Sequence, residues 1–345
     1  FPSGDLAAIK NLFESIEPGA SNQLENYLRS AASNYNVAYK YFLHRPYAGL
    51  RNVFKKDLLT NLGWFDFIKT VRGEVDKRFD DSRLKIIIEW IMTFVGTPPN
   101  RTPALYTLMN YMDFVGGIHY PMGGMYEITK ALVEIGEKAG VTFHTNQEIE
   151  QIIVDSFGNA AGVTFVDGSQ DSADIIVSNA DIEHTHRILT PEPYHAYSKT
   201  YWENRSQSPA AILYYAAIKG ELPELEHHNF IFGKDPDRVF NEIYDEKIWS
   251  NDPYLYFSIP SRTDKSVVPN GQELFYLLIP VAPGLTHTNE FLVQYFDKAL
   301  ATIEVECKIP DLRERIIWED NFNIDDMSAH IGIIILDQYR QQGYA

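Results

Sequence analysis

Basic residues are scarce in this chain. Thirty Lys and Arg stand against 47 Asp and Glu, a formal net charge of −17 over 345 residues. A nucleic-acid partner needs basic patches to neutralise phosphates, so that class of function is excluded. A strongly anionic membrane is excluded as a purely electrostatic target. Cysteine occurs once, at Cys307. That rules out an intrachain disulfide framework and suits a reducing compartment. Cys307 itself reads as a small buried residue rather than a nucleophile. There is no run of roughly 18 or more apolar residues, so no membrane-spanning helix is expected. No signal peptide is visible. No Ser-His-Asp or Cys-His arrangement can be defended. His184 and His186 lie two apart, which on a helix places them on different faces. Without a carboxylate cluster beside them they make no metal site, and none is expected.

Aromatic residues are plentiful: 13% of the chain, with 21 Tyr and 20 Phe. They imply either large aromatic cores or a long apolar ligand channel. The length allows two domains that share an interface.

Residues 1 to about 112 read as nearly all helical. Ser3 caps a first helix with Leu6, Ile9, Leu12, Phe13 and Ile16 on one face. Pro18-Gly19 ends it, and Asn22 with Glu25 resembles a capping box for the next helix, to about Leu43. A shorter helix is predicted over Leu58 to Ile68. Asp81-Ser82 caps a helix from Leu84 to Val95 that is apolar almost all round. Pro103 opens a helix from Ala104 to Met112.

The next stretch organises the rest. Tyr120 to Met125 reads YPMGGM, a Gly-Gly turn leading into Ile128, Ala131, Leu132 and Ile135 at helical spacing. Gly140 sits at a helix C-cap. Val141 to Phe143 reads as a short strand, Glu148 to Asp155 as a longer one, and Ala161 to Val166 as its return after the Phe157-Gly158-Asn159 turn. Ile175 to Val177 reads as a buried strand, and Asn179-Ala180-Asp181 starts another helix. The order suits half of a nucleotide-binding domain in which a hairpin interrupts a parallel sheet. Further on, strands are predicted over Ala210 to Ile218, Asn229 to Phe232, Tyr254 to Ile259, Glu273 to Val281 and Arg313 to Trp318, making an antiparallel or mixed sheet. An amphipathic helix is predicted over Thr288 to Leu300.

YPMGGM followed by a helix, then ADIIVSNADIEHTHRIL, resembles bacterial carotenoid desaturases of the phytoene-desaturase type, flavin-dependent members of the amine-oxidase-like superfamily. The resemblance is strongest over Gly116 to Leu189 and weaker through Pro209 to Pro283. It implies an α/β (α+β) fold: an FAD-binding Rossmann-like domain, incomplete here, with a mixed-sheet substrate domain and a helical membrane-facing part. Residues 1–112 would be the helical substrate and membrane-associated part and 113–190 the second portion of the FAD-binding domain. Residues 191–320 would be the substrate domain, with 321–345 unassigned. The family's G-x-G-x-x-G turn occurs nowhere in the chain, nor does its C-terminal glycine-rich segment. The expectation is therefore a partial record of a larger protein.

The resemblance further implies FAD as cofactor, with Gly123 and Gly124 passing close to the flavin. Ile149 would lie on the strand whose backbone meets the adenine, and Asn179, Ala180 and Asp181 would line the site. A plain helix-entry turn and an ordinary helix cap are the competing readings. Asp57 lies where some of these enzymes carry an Asp-x-x-Arg pair proposed for acid-base work. Thr60 stands at the Arg place, and Asp57 otherwise reads as a helix-surface charge. The implied function is desaturation of a lipid-soluble carotenoid by a cytoplasmic protein on the inner-membrane surface, docking near Ile86 to Val95 and Arg45 to Phe54. The alternatives are a polyene isomerase, retinol saturase or amine oxidase on the same fold, or a non-catalytic prenyl- or lipid-binding escort protein.

Overall fold

The computed structural model describes residues 5–40, 69–205 and 207–322. Ser3, the stretches Arg45 to Phe54 and Leu58 to Ile68, and the unassigned tail from Asn323 lie outside them. The chain divides into two units: one is formed by residues up to His119 together with Pro236–Asp245, the other by Tyr120–Asp235 and Glu246 onward.

The first unit is helical. Helix α1 (Leu6–Ile16) buries Ile9 and Phe13 and is capped by Asp5, whose carboxylate accepts the Ala8 amide at 3.0 Å. Helix α2 (Ala20–Ala38) begins two residues before the expected capping box. The reason is Glu14, which accepts the Gly19 and Ser21 amides at 2.9 and 3.1 Å and takes over the capping role from α1. Helices α3 (Val71–Asp76) and α4 (Ser82–Glu89) complete the core, and Asp81 caps α4 as expected. Phe13 meets Phe79 and Phe114 edge-on at 5.7 and 6.5 Å, the favoured aromatic geometry.

The expected continuous helix from Leu84 to Val95 is broken. It stops at Glu89 and resumes over Met92–Val95. In an unbroken helix the Ile88 carbonyl would accept the Met92 amide. Here it accepts the Asn110 side-chain amide at 2.8 Å, and Asn110 Oδ1 accepts the Tyr27 hydroxyl at 2.8 Å. The next residue, Glu89, is buried and bound to Arg72 at 2.6 Å, and Arg72 also grips both oxygens of Asp237. Burial pushes the Glu89 carboxyl upward while Arg72 opposes the shift. The partners that break the helix come from elsewhere in the chain, out of reach of a local pattern.

The second unit holds two sheets. Strands β1 (Ile149–Val154), β2 (Ala160–Phe165) and β3 (Gln170–Ser172) form an antiparallel meander. Asp155 closes its first turn by accepting the Phe157 and Asn159 amides at 2.8 and 2.9 Å. Strands β4 (Ala210–Lys219), β5 (His228–Ile231), β6 (Leu255–Ser258), β7 (Gln272–Val281) and β8 (Ile316–Phe322) form a five-stranded sheet in the order β5-β6-β7-β4-β8. Every described pairing in both sheets is antiparallel, so the large sheet is not mixed.

Helix α5 (Tyr126–Lys138) follows the glycine turn as predicted, and helix α6 (Asn289–Glu306) packs on the large sheet. The parallel sheet is not formed among the described residues. Residues 141–143 and 175–177 belong to no strand, and Ile175 and Val177 are 81% and 87% exposed. A strand needs a neighbour for its backbone groups, and the described residues offer none here. Phe143 folds back instead: its ring lies so close to Gly136 that a Cβ there would come within 2.7 Å. Helix α5 has no buried residue, and its apolar face of Ile128, Leu132 and Ile135 is exposed.

The buried Asn110 bridge yields a stability prediction. Asn110→Leu leaves the Tyr27 hydroxyl and the Ile88 carbonyl without their partner. It should destabilise the helical unit by about 2–4 kcal/mol, with Tyr27→Phe costing about half as much. Denaturant unfolding of both variants checks this; equal, small losses would refute the bridge.

Candidate functional site

The large sheet sorts its side chains by the two-residue period of a strand. Ile212, Tyr214, Ala216 and Ile218 of β4 and Phe275, Leu277, Ile279 and Val281 of β7 face α6 and form the main core. The alternate residues make the opposite face. There an aromatic row crosses the sheet at right angles to the strands. Phe230 on β5 lies 4.9 Å from Tyr256 on β6, and Tyr256 lies 6.0 Å from Tyr276 on β7. Tyr276 then sits 5.1 Å from Tyr215 on β4, which is 5.8 Å from Phe322 on β8. Strands about 4.8 Å apart make this row about 19 Å long across five strands.

Tyr256, Tyr276 and Tyr215 are half-buried. Burial raises all three phenols, Tyr215 to about 12, so the row carries no charge near neutral pH.

One end of the row leads to the glycine turn. Tyr256 donates or accepts a hydrogen bond with His228 Nδ1 at 2.8 Å, and the two rings stack. His228 stacks on His227 at 4.3 Å, and His227 meets Tyr120 edge-on at 4.9 Å. Tyr120 directly precedes Pro121-Met122-Gly123-Gly124. Burial lowers both imidazoles, and the neighbouring His227 adds to the fall of His228 to about 4.

The turn needs its glycines. Gly123 and Gly124 have φ of +94° and +100°, a region L side chains rarely enter. A Cβ on Gly123 would lie 2.9 Å from the Glu127 side chain. The Gly124 amide closes the turn on the Pro121 carbonyl at 3.1 Å. The Gly123 amide donates across 141 residues of sequence to Asp264, in the loop between β6 and β7.

Among the described residues, no hydrogen bond or ring contact is found between the other predicted site residues and this junction. Ile149 is half-buried at the start of β1, paired with Phe165 beside a bulge. Asp181 caps the short helix Ile182–His184 by accepting the His184 amide at 2.9 Å, the cap role foreseen for it. Asn179 is exposed and Ala180 half-buried. Among the described residues no hydrogen bond ties the glycine turn to Asn179-Ala180-Asp181. Asp57 lies outside the described residues. No group of three metal-ligating side chains is found among the described residues. His186 instead packs on His195 and Trp202 and accepts the Tyr197 amide.

Sequence reading missed Asp264, the two histidines and the row. Only the row left a signal: Tyr or Phe at alternate positions of neighbouring strand segments.

Residues 6–269 match the flavin containing amine oxidoreductase family. This chain belongs to that family. It is 35% identical over 325 residues to the carotenoid 3,4-desaturase of Haloarcula japonica, covering 94% of this chain and 65% of that protein. It is 29% identical over 280 residues to a zeta-carotene-forming phytoene desaturase of Myxococcus xanthus, covering 81% of this chain and 53% of that one. The chain thus spans about two thirds or less of the length of these relatives. Among solved structures, an oxidoreductase from Methanosarcina mazei aligns over 74% of this chain and 56% of its own, at 19% identity and a TM-score of 0.47.

The residues at the turn fit a flavin of the kind the family carries. Gly123 is exposed, Gly124 is buried, and neither puts a side chain of its own in the way of a planar ring; Glu127 is the side chain nearest to Gly123.

The histidine pair sets a pH dependence. An imidazole whose folded pKa lies below its unfolded value contributes stability that is complete above about pH 6.5 and lost as pH falls toward about 4. His228→Gln should therefore flatten the acid loss of stability in that window, modestly because His228 is solvent-exposed. Thermal midpoints of wild type and variant from pH 7 to 4 measure it; parallel curves would refute the assignment.

Proposed function

We propose that this chain is the greater part of an FAD-dependent carotenoid desaturase, which removes hydrogens from adjacent carbons of a long polyene. The observation that carries the reading is the uncharged aromatic row ending at the glycine turn, in a chain of the flavin-containing family. The similarity to two carotenoid desaturases supports the same substrate class. FAD supplies the hydride acceptor, and a polyene needs neither a protein nucleophile nor a metal. The chain's own residues then bind and orient. Tyr256, Tyr276 and Tyr215 offer flat apolar area with few rotamers, suited to a rigid hydrocarbon. Neutral His227 and His228 carry the row to Tyr120 without placing charge beside it. Exposed Gly123 leaves room for a close approach. The rings of the row are themselves uncharged, and Asp320 is the carboxylate that the strand register sets opposite Tyr215.

The protein would draw its substrate from a bilayer on the cytoplasmic side. Exposed Met112, Val115 and Ile118 on the helical unit support contact with a membrane surface. No described helix is long and apolar enough to cross one. The exposed apolar face of α5, with residues 141–143 and 175–177, would complete a Rossmann-like FAD-binding sheet with strands from outside the described residues.

Two measurements test these readings. Full-length protein should show flavin absorbance that bleaches anaerobically when phytoene liposomes are added, with coloured polyene appearing. Tyr276→Leu should raise the KM for polyene by about fivefold, the loss of one aromatic contact of ~1 kcal/mol. Peroxide from an amine with no polyene turnover would sink the reading, and absence of flavin would favour an escort protein. Separately, the 345-residue chain should bind the apolar dye ANS far more than the full-length protein does; equal binding would refute the completed sheet.

A further inference from the structure

Asp264 is 3% exposed, yet it belongs to no ion pair among the described residues. Its two oxygens are divided between two tasks. Oδ1 accepts the amide and the hydroxyl of Ser266 at 2.9 and 2.6 Å, closing the loop's own 3-10 turn. Oδ2 accepts the Gly123 amide at 2.5 Å. The loop is itself anchored to the sheet. Glu273 of β7, fully buried, accepts the Ser261 hydroxyl with one oxygen and the Lys265 ammonium with the other at 2.8 Å. The Ser261 oxygen in turn accepts the Leu274 amide at 3.0 Å. Hydrogen bonds to Ser261 and Lys265 thus anchor the loop to strand β7, which carries Tyr276, and the Asp264 bond joins the same loop to the turn that carries Gly123.

A carboxylate accepting backbone N–H groups makes short, charge-assisted bonds. Its charge is kept on by these donors: the Ser266 hydroxyl, the Gly123 amide and the Ser266 amide hold the Asp264 carboxyl below the usual range. The glycine turn needs such a tether. Both its glycines carry full backbone freedom in the unfolded chain, so nothing in their own chemistry holds the +94° and +100° conformations.

We propose that Asp264 is a positioning residue that fixes the flavin-facing glycine turn against the substrate sheet, through its bond to the Gly123 amide. This rests on the flavin reading of the turn. It places the registry between cofactor and hydrocarbon in one side chain of the β6–β7 loop, remote from the turn in sequence.

The test uses full-length protein and two substitutions. Asp264→Asn turns one acceptor oxygen into a donor, so the side chain can no longer accept from both the Gly123 amide and the Ser266 amide. Ser266→Ala removes the hydroxyl contact and leaves the Gly123 bond. In flavin-depleted protein, amide hydrogen exchange at Gly123 should accelerate about tenfold or more in Asp264→Asn and stay near wild type in Ser266→Ala. On reloading, Asp264→Asn should shift the visible flavin band and weaken FAD binding by about tenfold or more, and Ser266→Ala should do neither. Unchanged exchange in Asp264→Asn, or FAD affinities and spectra alike in both variants, would overturn the positioning role. A wild-type protein that takes up no flavin would instead overturn the functional reading on which it rests.

Discussion

A β-strand carries a row of N–H and C=O groups that must find partners, and this requirement divides the second unit into what is built and what is left open. Five segments meet it in the large sheet. Strands β4 and β7 pair along all ten of their residues, which sets the register for everything on either face. One face then closes on α6 as a core, and the other aligns Phe230, Tyr256, Tyr276, Tyr215 and Phe322. A slip of β4 by one residue against β7 would turn Tyr215 into the core and put Ile212, Ala216 and Ile218 on the outer face. Residues 141–143 and 175–177 have equally strand-like sequences and, among the described residues, remain outside any sheet, with Ile175 and Val177 toward solvent.

The same logic of partners governs the polar groups. Carboxylates and amides in this chain are used as joints. Glu14 hands α1 over to α2, Asn110 ties Tyr27 to the broken helix, Arg72 and Glu89 brace the helical unit, and Glu273 with Asp264 ties the glycine turn to the sheet. The buried ones are satisfied by residues beyond their own turn or strand, as burial demands. The aromatic row adds no charge to this arrangement.

Much of the local structure was legible from the residues. Period-2 patterning located β4 and β7, and Asp81, Thr288 and Asp181 were visible as starts of helices. The Phe157-Gly158-Asn159 turn marked the hairpin of β1 and β2, and the third strand of the meander was not foreseen. The errors have a common cause. The helix over Leu84 to Val95 was expected to continue because its apolar pattern does. The break is made by Asn110 and by the Glu89–Arg72 pair, which no local window contains. Strands at 141–143 and 175–177 were expected from Val, Ile and Phe content, but propensity cannot supply a neighbouring strand. Of the candidate site, Gly123 and Gly124 were marked by their turn. Asp264 was not, because an isolated Asp beside Lys265 and Ser266 looks like any loop carboxylate.

By itself the sequence determined most helix starts, the strands β4 and β7, where the turn glycines fall, and that the chain is acidic and rich in rings. These follow from short-range sterics and from periodicity, which neighbouring residues already contain. Tertiary structure alone decided which aromatics share a face, which helix breaks, and that Gly123 is held by a carboxylate 141 positions away. Those outcomes depend on strand register and on buried hydrogen-bond partners, and both are properties of the folded chain brought together in space.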